Sequence, residues 1–220
     1  MKKYTLAFDV YGTLINTSGV LTSLQKMVGD QAVVLMNTWR NKQLEYSFRH
    51  GLMDHYVDFS VCTRNALQYS CMSLKIQLSV DQQADLMKEY TVLPAFEEVP
   101  AALTRLSEAG HRLFAFSNGS HKAVHQLLLN AQLIDFFEEI VSVEEIQTFK
   151  PNPKVYHHFN EKTGAAKEDS WLISGNPFDV IGAISYGMQA AWIQRNPEMI
   201  FDPWGVEPTI TVSDLSALAF

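Results

Sequence analysis

Tyr4-Thr-Leu-Ala-Phe8 runs without a break into Asp9-Val-Tyr-Gly-Thr13. The first half is short, apolar and β-prone. The second half places a carboxylate where the apolar run stops, and Gly12 permits a tight turn. Four later segments read as strands in the same way: Arg112-Leu-Phe-Ala-Phe116, Glu139-Ile-Val-Ser-Val143, Trp171-Leu-Ile-Ser174 and Gln189-Ala-Ala-Trp-Ile193. Helical patterns lie between them. One runs from Pro100 to Gly110, with Pro near its start and Gly as its stop. Others cover Lys122 to Leu129 and Pro153 to Lys162. Strand and helix alternating at this spacing predict a parallel sheet covered by helices on both faces.

Roughly Asn16 to Val92 breaks the pattern. It holds almost no β-run, and apolar residues recur at helical spacing in Leu35, Trp39, Leu44 and Phe48. They recur again in Tyr56, Phe59, Ala66 and Leu67, then in Leu86, Met87 and Tyr90. The segment reads as a helical insertion capping the mouth of the sheet. The expected division is a core of 1–15 and 93–220 with a cap of 16–92.

A length of 220 residues fits one domain, or one domain with a smaller insertion. The chain is 47% apolar and 19% charged, which excludes wholesale disorder. With 17 basic and 24 acidic residues the net charge is −7, a poor match for a polyanion, so nucleic acid is not an expected partner. No run approaches the ~18 apolar residues of a membrane-spanning helix. Lys2 and Lys3 mimic the start of a secretion signal, but Asp9 interrupts the apolar stretch too early. Two cysteines, Cys62 and Cys71, are too few for a disulfide framework or a zinc site. They read as buried thiols in a reducing cytoplasm.

Ligands of open parallel sheets bind outside the carboxyl ends of the strands. Asp9, Tyr11 and Thr13 follow the first strand here, and Ser117, Asn118 and Gly119 the second. Lys150 and Pro151 come after the third, and Ser174, Gly175, Asn176, Phe178 and Asp179 after the fourth. Singly, most have plain readings: Ser117-Asn-Gly119 as a turn, Lys150-Pro151 as a solvated loop, Asp179 as a helix cap. Asp9 is harder to explain away, because a carboxylate that ends an apolar strand is costly to bury unpaired. Together these groups suit a carboxylate nucleophile that forms a covalent ester or acyl-phosphate. Lys150 and the hydroxyls of Thr13, Ser117 and Ser174 would hold Asp9 ionised, and Asp179 and Asn176 would position a water.

Asp9-Val-Tyr-Gly-Thr-Leu14, Ser117-Asn-Gly119, Lys150-Pro151 and Ser174-Gly-Asn-Pro-Phe-Asp179 resemble the four motifs of the haloacid dehalogenase superfamily. Their order and spacing cover nearly the whole chain. The resemblance implies a three-layer Rossmann-like α/β core with an inserted helical cap. Phosphatases of the superfamily place a second Asp two residues after the nucleophile, where it protonates a departing alkoxide. Tyr11 stands there instead, which suits a halide that leaves without a proton. Thr38-Trp-Arg-Asn-Lys-Gln-Leu-Glu-Tyr46, Tyr56-Val-Asp-Phe59, Thr63-Arg-Asn-Ala-Leu67 and Lys150-Pro-Asn-Pro-Lys-Val-Tyr156 are similar to the L-2-haloacid dehalogenases.

That likeness implies roles. Asp9 is the nucleophile, and Thr13, Ser174 and Lys150 orient its carboxylate. Ser117 and the backbone at Val10 and Tyr11 take the substrate carboxylate. Arg40, Asn118 and Phe178 cradle the halide; a guanidinium is weakly hydrated and suits a large soft anion. Tyr11, Leu44, Phe59 and Phe178 wall the alkyl group, with Asn41 beside them. Tyr156 joins the polar network through Lys150, and Asp179 and Asn176 activate the hydrolytic water. Four positions depart from the usual residues: Asn41 for Gln, Phe178 for Trp, Gly175 for Ser and Asn152 for Asp. The likeness further implies a 2-haloacid substrate, no metal or other cofactor, and a homodimer through the cap.

Alternatives stay open at this stage. A phosphatase of the same superfamily would hold Mg²⁺ through Asp9 and Asp179. A phosphonatase would need a Schiff-base lysine in the cap, where Lys42 sits near Arg40. A non-catalytic binding protein would be expected to lose Asp9, Lys150 or Asp179, and all three are present. His157-His158 is adjacent rather than i, i+4 and reads as a solvated helix face, and His121/His125 lack a third metal ligand. Asn16-Thr-Ser18 fits a glycosylation acceptor but has no secretory context.

Overall fold

The computed structural model describes residues 2–220. Six strands form one parallel sheet: β1 (Thr5–Phe8), β2 (Arg112–Ser117), β3 (Glu139–Ser142), β4 (Ser170–Ser174), β5 (Gln189–Ile193) and β6 (Ile210–Val212). Their spatial order is β3-β2-β1-β4-β5-β6. All five ladders are parallel, as the alternating pattern predicts. β6 was not foreseen; it is a three-residue edge strand, half-exposed and too short to leave a periodic signal.

β1 is buried along its whole length and lies between β2 and β4. Its alternate residues enter different cores. Leu6 and Phe8 pack with α5 (Val99–Glu108) and α6 (His121–Asn130) on one face of the sheet. Ala7 packs with α7 (Pro153–Thr163) and α8 (Pro177–Tyr186) on the other. This makes three layers, with helices burying both faces of a sheet that is apolar on both.

Four helices precede α5 in the chain between β1 and β2: α1 (Gly19–Val28), α2 (Ala32–Leu52), α3 (Phe59–Leu74) and α4 (Val80–Glu89). Asp58 caps α3 by accepting the Ser60 N–H, and Ser79 with Gln82 forms a reciprocal capping box on α4. Tyr56 lies in the loop before α3 rather than on a helix. The buried stripe of α2 is Leu35, Trp39, Gln43 and Ser47, spaced four apart. Leu44 and Phe48 lie off that stripe. The outgoing and returning ends of this helical segment are zipped together. The Asn16 N–H donates to the Pro94 carbonyl at 2.8 Å and the Phe96 N–H to the Leu14 carbonyl at 3.0 Å.

The carboxyl ends of β1, β2 and β4 meet where the connections leaving β1 and β4 run to opposite halves of the sheet, the ordinary place for a ligand. Helix α2 approaches this edge from the other side: Phe48 meets Phe178 edge-to-face at 5.1 Å. Gly182 on α8 lets Tyr156 of α7 lie against the helix. A Cβ there would overlap the Tyr156 hydroxyl and come 2.7 Å from the Pro151 Cβ. Replacement Gly182→Ala is therefore expected to destabilise the fold by about 1–3 kcal/mol, as overpacking does. The check is a lower urea midpoint at unchanged slope.

Candidate active site

Asp9 is the first residue past β1. Its N–H continues the ladder to the Ile173 carbonyl at 3.0 Å. The chain then folds back, with the N–H groups of Leu14 and Ile15 both donating to the Val10 carbonyl at 3.0 Å. Gly12 takes φ 82°, a left-handed conformation that most side chains resist. The turn brings Thr13 under Asp9, which is 7% exposed.

Every oxygen of that carboxylate is engaged. Oδ2 accepts from Thr13 Oγ1 and from Asn176 Nδ2, both at 2.8 Å. Oδ1 accepts only the longer bond from Lys150 Nζ, at 3.2 Å. Thr13 Oγ1 also accepts from the Gly175 N–H at 2.8 Å, so its own proton is committed to Asp9. Gly175 permits this approach: a Cβ there would lie 2.7 Å from the Gly12 carbonyl oxygen.

Lys150 is 1% exposed. Its ammonium donates to Asp9 Oδ1, to Asp179 Oδ2 at 2.8 Å and to the Phe116 carbonyl at 2.8 Å. Three donors meet three acceptors, the arrangement a buried ammonium needs. Asp179 is fully buried on α8. Burial pushes its carboxyl up, against the opposing pull of the Lys150 ammonium. Its Oδ1 accepts from the Tyr156 hydroxyl at 2.8 Å. Burial also raises the Tyr156 and Tyr11 phenols, so both keep their protons.

The other half comes from α2 and α3. Arg40 donates through Nη2 to Asn176 Oδ1 at 3.1 Å and through Nη1 to Gln43 Oε1 at 2.7 Å. Gln43 Nε2 donates to Thr63 Oγ1 at 2.6 Å, which donates on to the Phe59 carbonyl at 2.9 Å. Burial lowers the Arg40 guanidinium, while Asp9 is among the groups that hold it charged. Asn176 thus joins the two halves, bonding Arg40 through its carbonyl and Asp9 through its amide nitrogen.

A cavity of ≈ 20 Å³ lies between them, about the space of one water. Asp9, Arg40, Ser117, Asn118 and Asn176 form its polar wall, and Tyr11, Leu44, Phe59 and Phe178 its apolar wall. Thr13, Lys150, Tyr156, Ser174 and Asp179 sit beneath that surface as a buried support. The N–H groups of Val10 and Tyr11 have no acceptor among the described residues.

Several sequence-based expectations need correction. Asn41 is exposed and does not reach the cavity. One step along a helix turns a side chain about 100° away, whereas Gln43, three residues on, shares the Arg40 face. Gln43 and Thr63 were missed, and i, i+3 spacing from Arg40 is the signal that could have found the first. Tyr156 joins the network through Asp179, not Lys150. Ser174 does not contact Asp9; its hydroxyl accepts the Asn176 N–H at 3.1 Å. Ser117 Oγ likewise braces its own loop, accepting the Gly119 N–H at 3.0 Å. The Val10 side chain belongs to the core, which leaves the expectation for its backbone untouched. Asn118 spends its carbonyl oxygen on the Lys150 N–H at 2.9 Å. Lys42 pairs with Glu45 at 2.6 Å and lies over the Tyr69 ring, outside the cavity.

Comparison with known proteins gives one family. Residues 6–193 match the haloacid dehalogenase-like hydrolases. The chain is 36% identical to haloacetate dehalogenase H-2 of Moraxella sp. strain B, over 99% of this chain and 97% of that protein. It is 32% identical to an (S)-2-haloacid dehalogenase of Pseudomonas putida, over 97% and 94%. The L-2-haloacid dehalogenase of Xanthobacter autotrophicus, solved with chloropropionic acid covalently bound, superposes with a TM-score of 0.90 at 27% identity. That likeness covers 98% of this chain and 96% of the other.

The buried ion triad makes Lys150 a test of the geometry. Lys150→Met would leave Asp9 and Asp179 facing each other in a desolvated site. Loss of one partner from such a network is expected to cost about 3–5 kcal/mol, measurable as a fall in urea stability near neutral pH.

Proposed function

The chain belongs to the haloacid dehalogenase-like hydrolases and hydrolyses carbon–halide bonds; from that premise we propose that it converts short L-2-haloalkanoates into D-2-hydroxy acids through an ester on Asp9. The observation that carries this reading is the state of the Asp9 carboxylate. Oδ2 is fixed by two short bonds from Thr13 and Asn176, and Oδ1, with the single longer bond from Lys150, is the freer oxygen.

In the first step Asp9 Oδ1 attacks C2 opposite the halogen. The C–O bond forms as the C–X bond breaks, the centre inverts, and the electron pair leaves with the halide. Arg40, Asn118 and the Phe178 edge receive that anion in a site closed to bulk water, where a guanidinium acts strongly. The substrate carboxylate is taken by Ser117 and the free N–H groups of Val10 and Tyr11. The ester then removes the Asp9 charge. Asp179 is left as the remaining carboxylate on Lys150, and its raised affinity for a proton suits it to accept one. A water held with Asn176 gives a proton to Asp179 and attacks the Asp9 carbonyl carbon; the acyl–oxygen bond breaks, the product oxygen leaves with its alkyl–oxygen bond intact and takes the proton back, and the Asp9 carboxylate is regenerated.

Lys150 already bonds both carboxylates that a divalent cation would use, so the reaction is read as needing no metal. Among the described residues no three His, Cys, Asp or Glu side chains are grouped to hold one. Residues 16–92 act as the cap in this reading, on a core of 1–15 and 93–220. A homodimer through that cap and a cytoplasmic location belong to the same reading. The exposed Leu52 and Met72 on the helical segment fit such a contact. No described helix is long and apolar enough to cross a membrane.

Chloride release from L- and D-2-chloropropionate, with and without EDTA, is the direct test. The expected result is release from the L form alone, unaffected by EDTA. Mg²⁺-dependent release of nitrophenol from p-nitrophenyl phosphate, with no chloride, would instead favour phosphatase chemistry. A single turnover in ¹⁸O-water should put the label in Asp9; label in the product would remove the ester route. Arg40→Ala is expected to lower turnover by about 10²–10³, the range seen for losing an anion-stabilising donor.

A further inference from the structure

Arg195, two residues beyond β5, takes no part in the chemistry above, yet its guanidinium is seated on the nucleophile loop. Nη2 donates to the Thr13 carbonyl at 2.5 Å and pairs with Glu98 Oε1 at 2.8 Å. The guanidinium carbon lies 3.5 Å from the centroid of the Phe96 ring. The side chain is 15% exposed. Burial lowers the group, and Glu98 opposes that shift.

An arginine held this way does more than pair with a carboxylate. Glu98 alone could be met by any cation at the surface, at little gain. A planar fork over an aromatic ring that also reaches a backbone carbonyl fits only a guanidinium. The carbonyl it holds belongs to the one residue whose hydroxyl orients Asp9. Thr13 is therefore fixed at both ends, by Arg195 on its C=O and by Gly175 and Asp9 on its Oγ1. The aromatic face belongs to Phe96, whose N–H is bonded to the Leu14 carbonyl in the zipped ends of the helical segment.

We infer that Arg195 is a positioning residue for the reaction: it clamps Thr13 to the segment carrying Phe96 and Glu98, and so sets the angle of the Asp9 carboxylate. The inference rests on the haloacid reading of the site for its choice of substrate.

The test follows ester formation directly, as the first-turnover release of chloride from L-2-chloropropionate with enzyme in excess. Arg195→Ala is expected to slow that step by about 10- to 100-fold, the cost of a small misplacement at the reacting atoms. KM should stay within about threefold, since substrate contacts are untouched. Added guanidinium ion, but not equal NaCl, should restore part of the rate at a concentration well below that which unfolds the protein. Arg195→Lys should remain slow despite keeping the charge. Should Arg195→Ala fail to fold, the Lys variant carries the test. An unchanged first turnover in the folded variants would overturn the inference. So would a loss that tracks thermal stability and is not rescued by guanidinium. If the unaltered protein releases no chloride from any 2-haloacid, the haloacid reading falls instead, and the two failures are distinct.

Discussion

A single ammonium holds this site together. Lys150 lies between two carboxylates and a backbone carbonyl, almost wholly out of water. Two buried acids at such distance repel, and one would ordinarily take up a proton. The shared ammonium makes their joint burial tolerable. It also makes their states interdependent, because any change in charge at Asp9 is felt at Asp179 through the same nitrogen. The esterification proposed for Asp9 would therefore be felt at once by Asp179.

The remaining architecture serves that arrangement. β1 and β4 deliver Asp9 and Asn176, the turn at Gly12 lifts Thr13 beneath the carboxylate, and Gly175 gives up its side chain so that the two loops can touch. From the opposite side, α2 supplies Arg40, whose bond to Asn176 is a polar tie between helical segment and sheet edge. Aromatic contacts, Phe48 with Phe178 and Tyr56 with Phe149, close the same seam. Separation of the two halves would strip Asn176 of Arg40 and open the cavity to water.

Much of this was legible in the sequence, because the sheet signals are local. An apolar run ending in a polar residue marks a strand and its functional end together, and five of six strands were visible that way. The chemical identities at Asp9, Lys150 and Asp179 were legible for the same reason. What the sequence could not carry was direction. Nothing local tells that Ser174 turns to the Asn176 N–H, that Tyr156 meets Asp179 rather than Lys150, or that Asn41 points outward while Gln43 points in. Those outcomes depend on which neighbours arrive from far along the chain. Arg195 is the extreme case, since an arginine after a strand carries no sign of the carbonyl it will find.

The central place of β1 has a consequence for how the chain acquires this structure. The earliest of the six strands in chain order pairs with nothing near it in sequence: Thr5 lies beside Arg112 and Ser170 in the finished sheet. An apolar segment must wait for partners more than a hundred residues downstream, a costly loop to close and a slow kind of topology to nucleate. During that interval it is an unpaired edge of the kind that favours association between chains. The intervening helices can form early from local contacts. Asp9, at the end of that waiting strand, gains its ammonium and its amide only when the segments carrying Lys150 and Asn176 have packed against β1. A chain in which they have not docked lacks the assembled site.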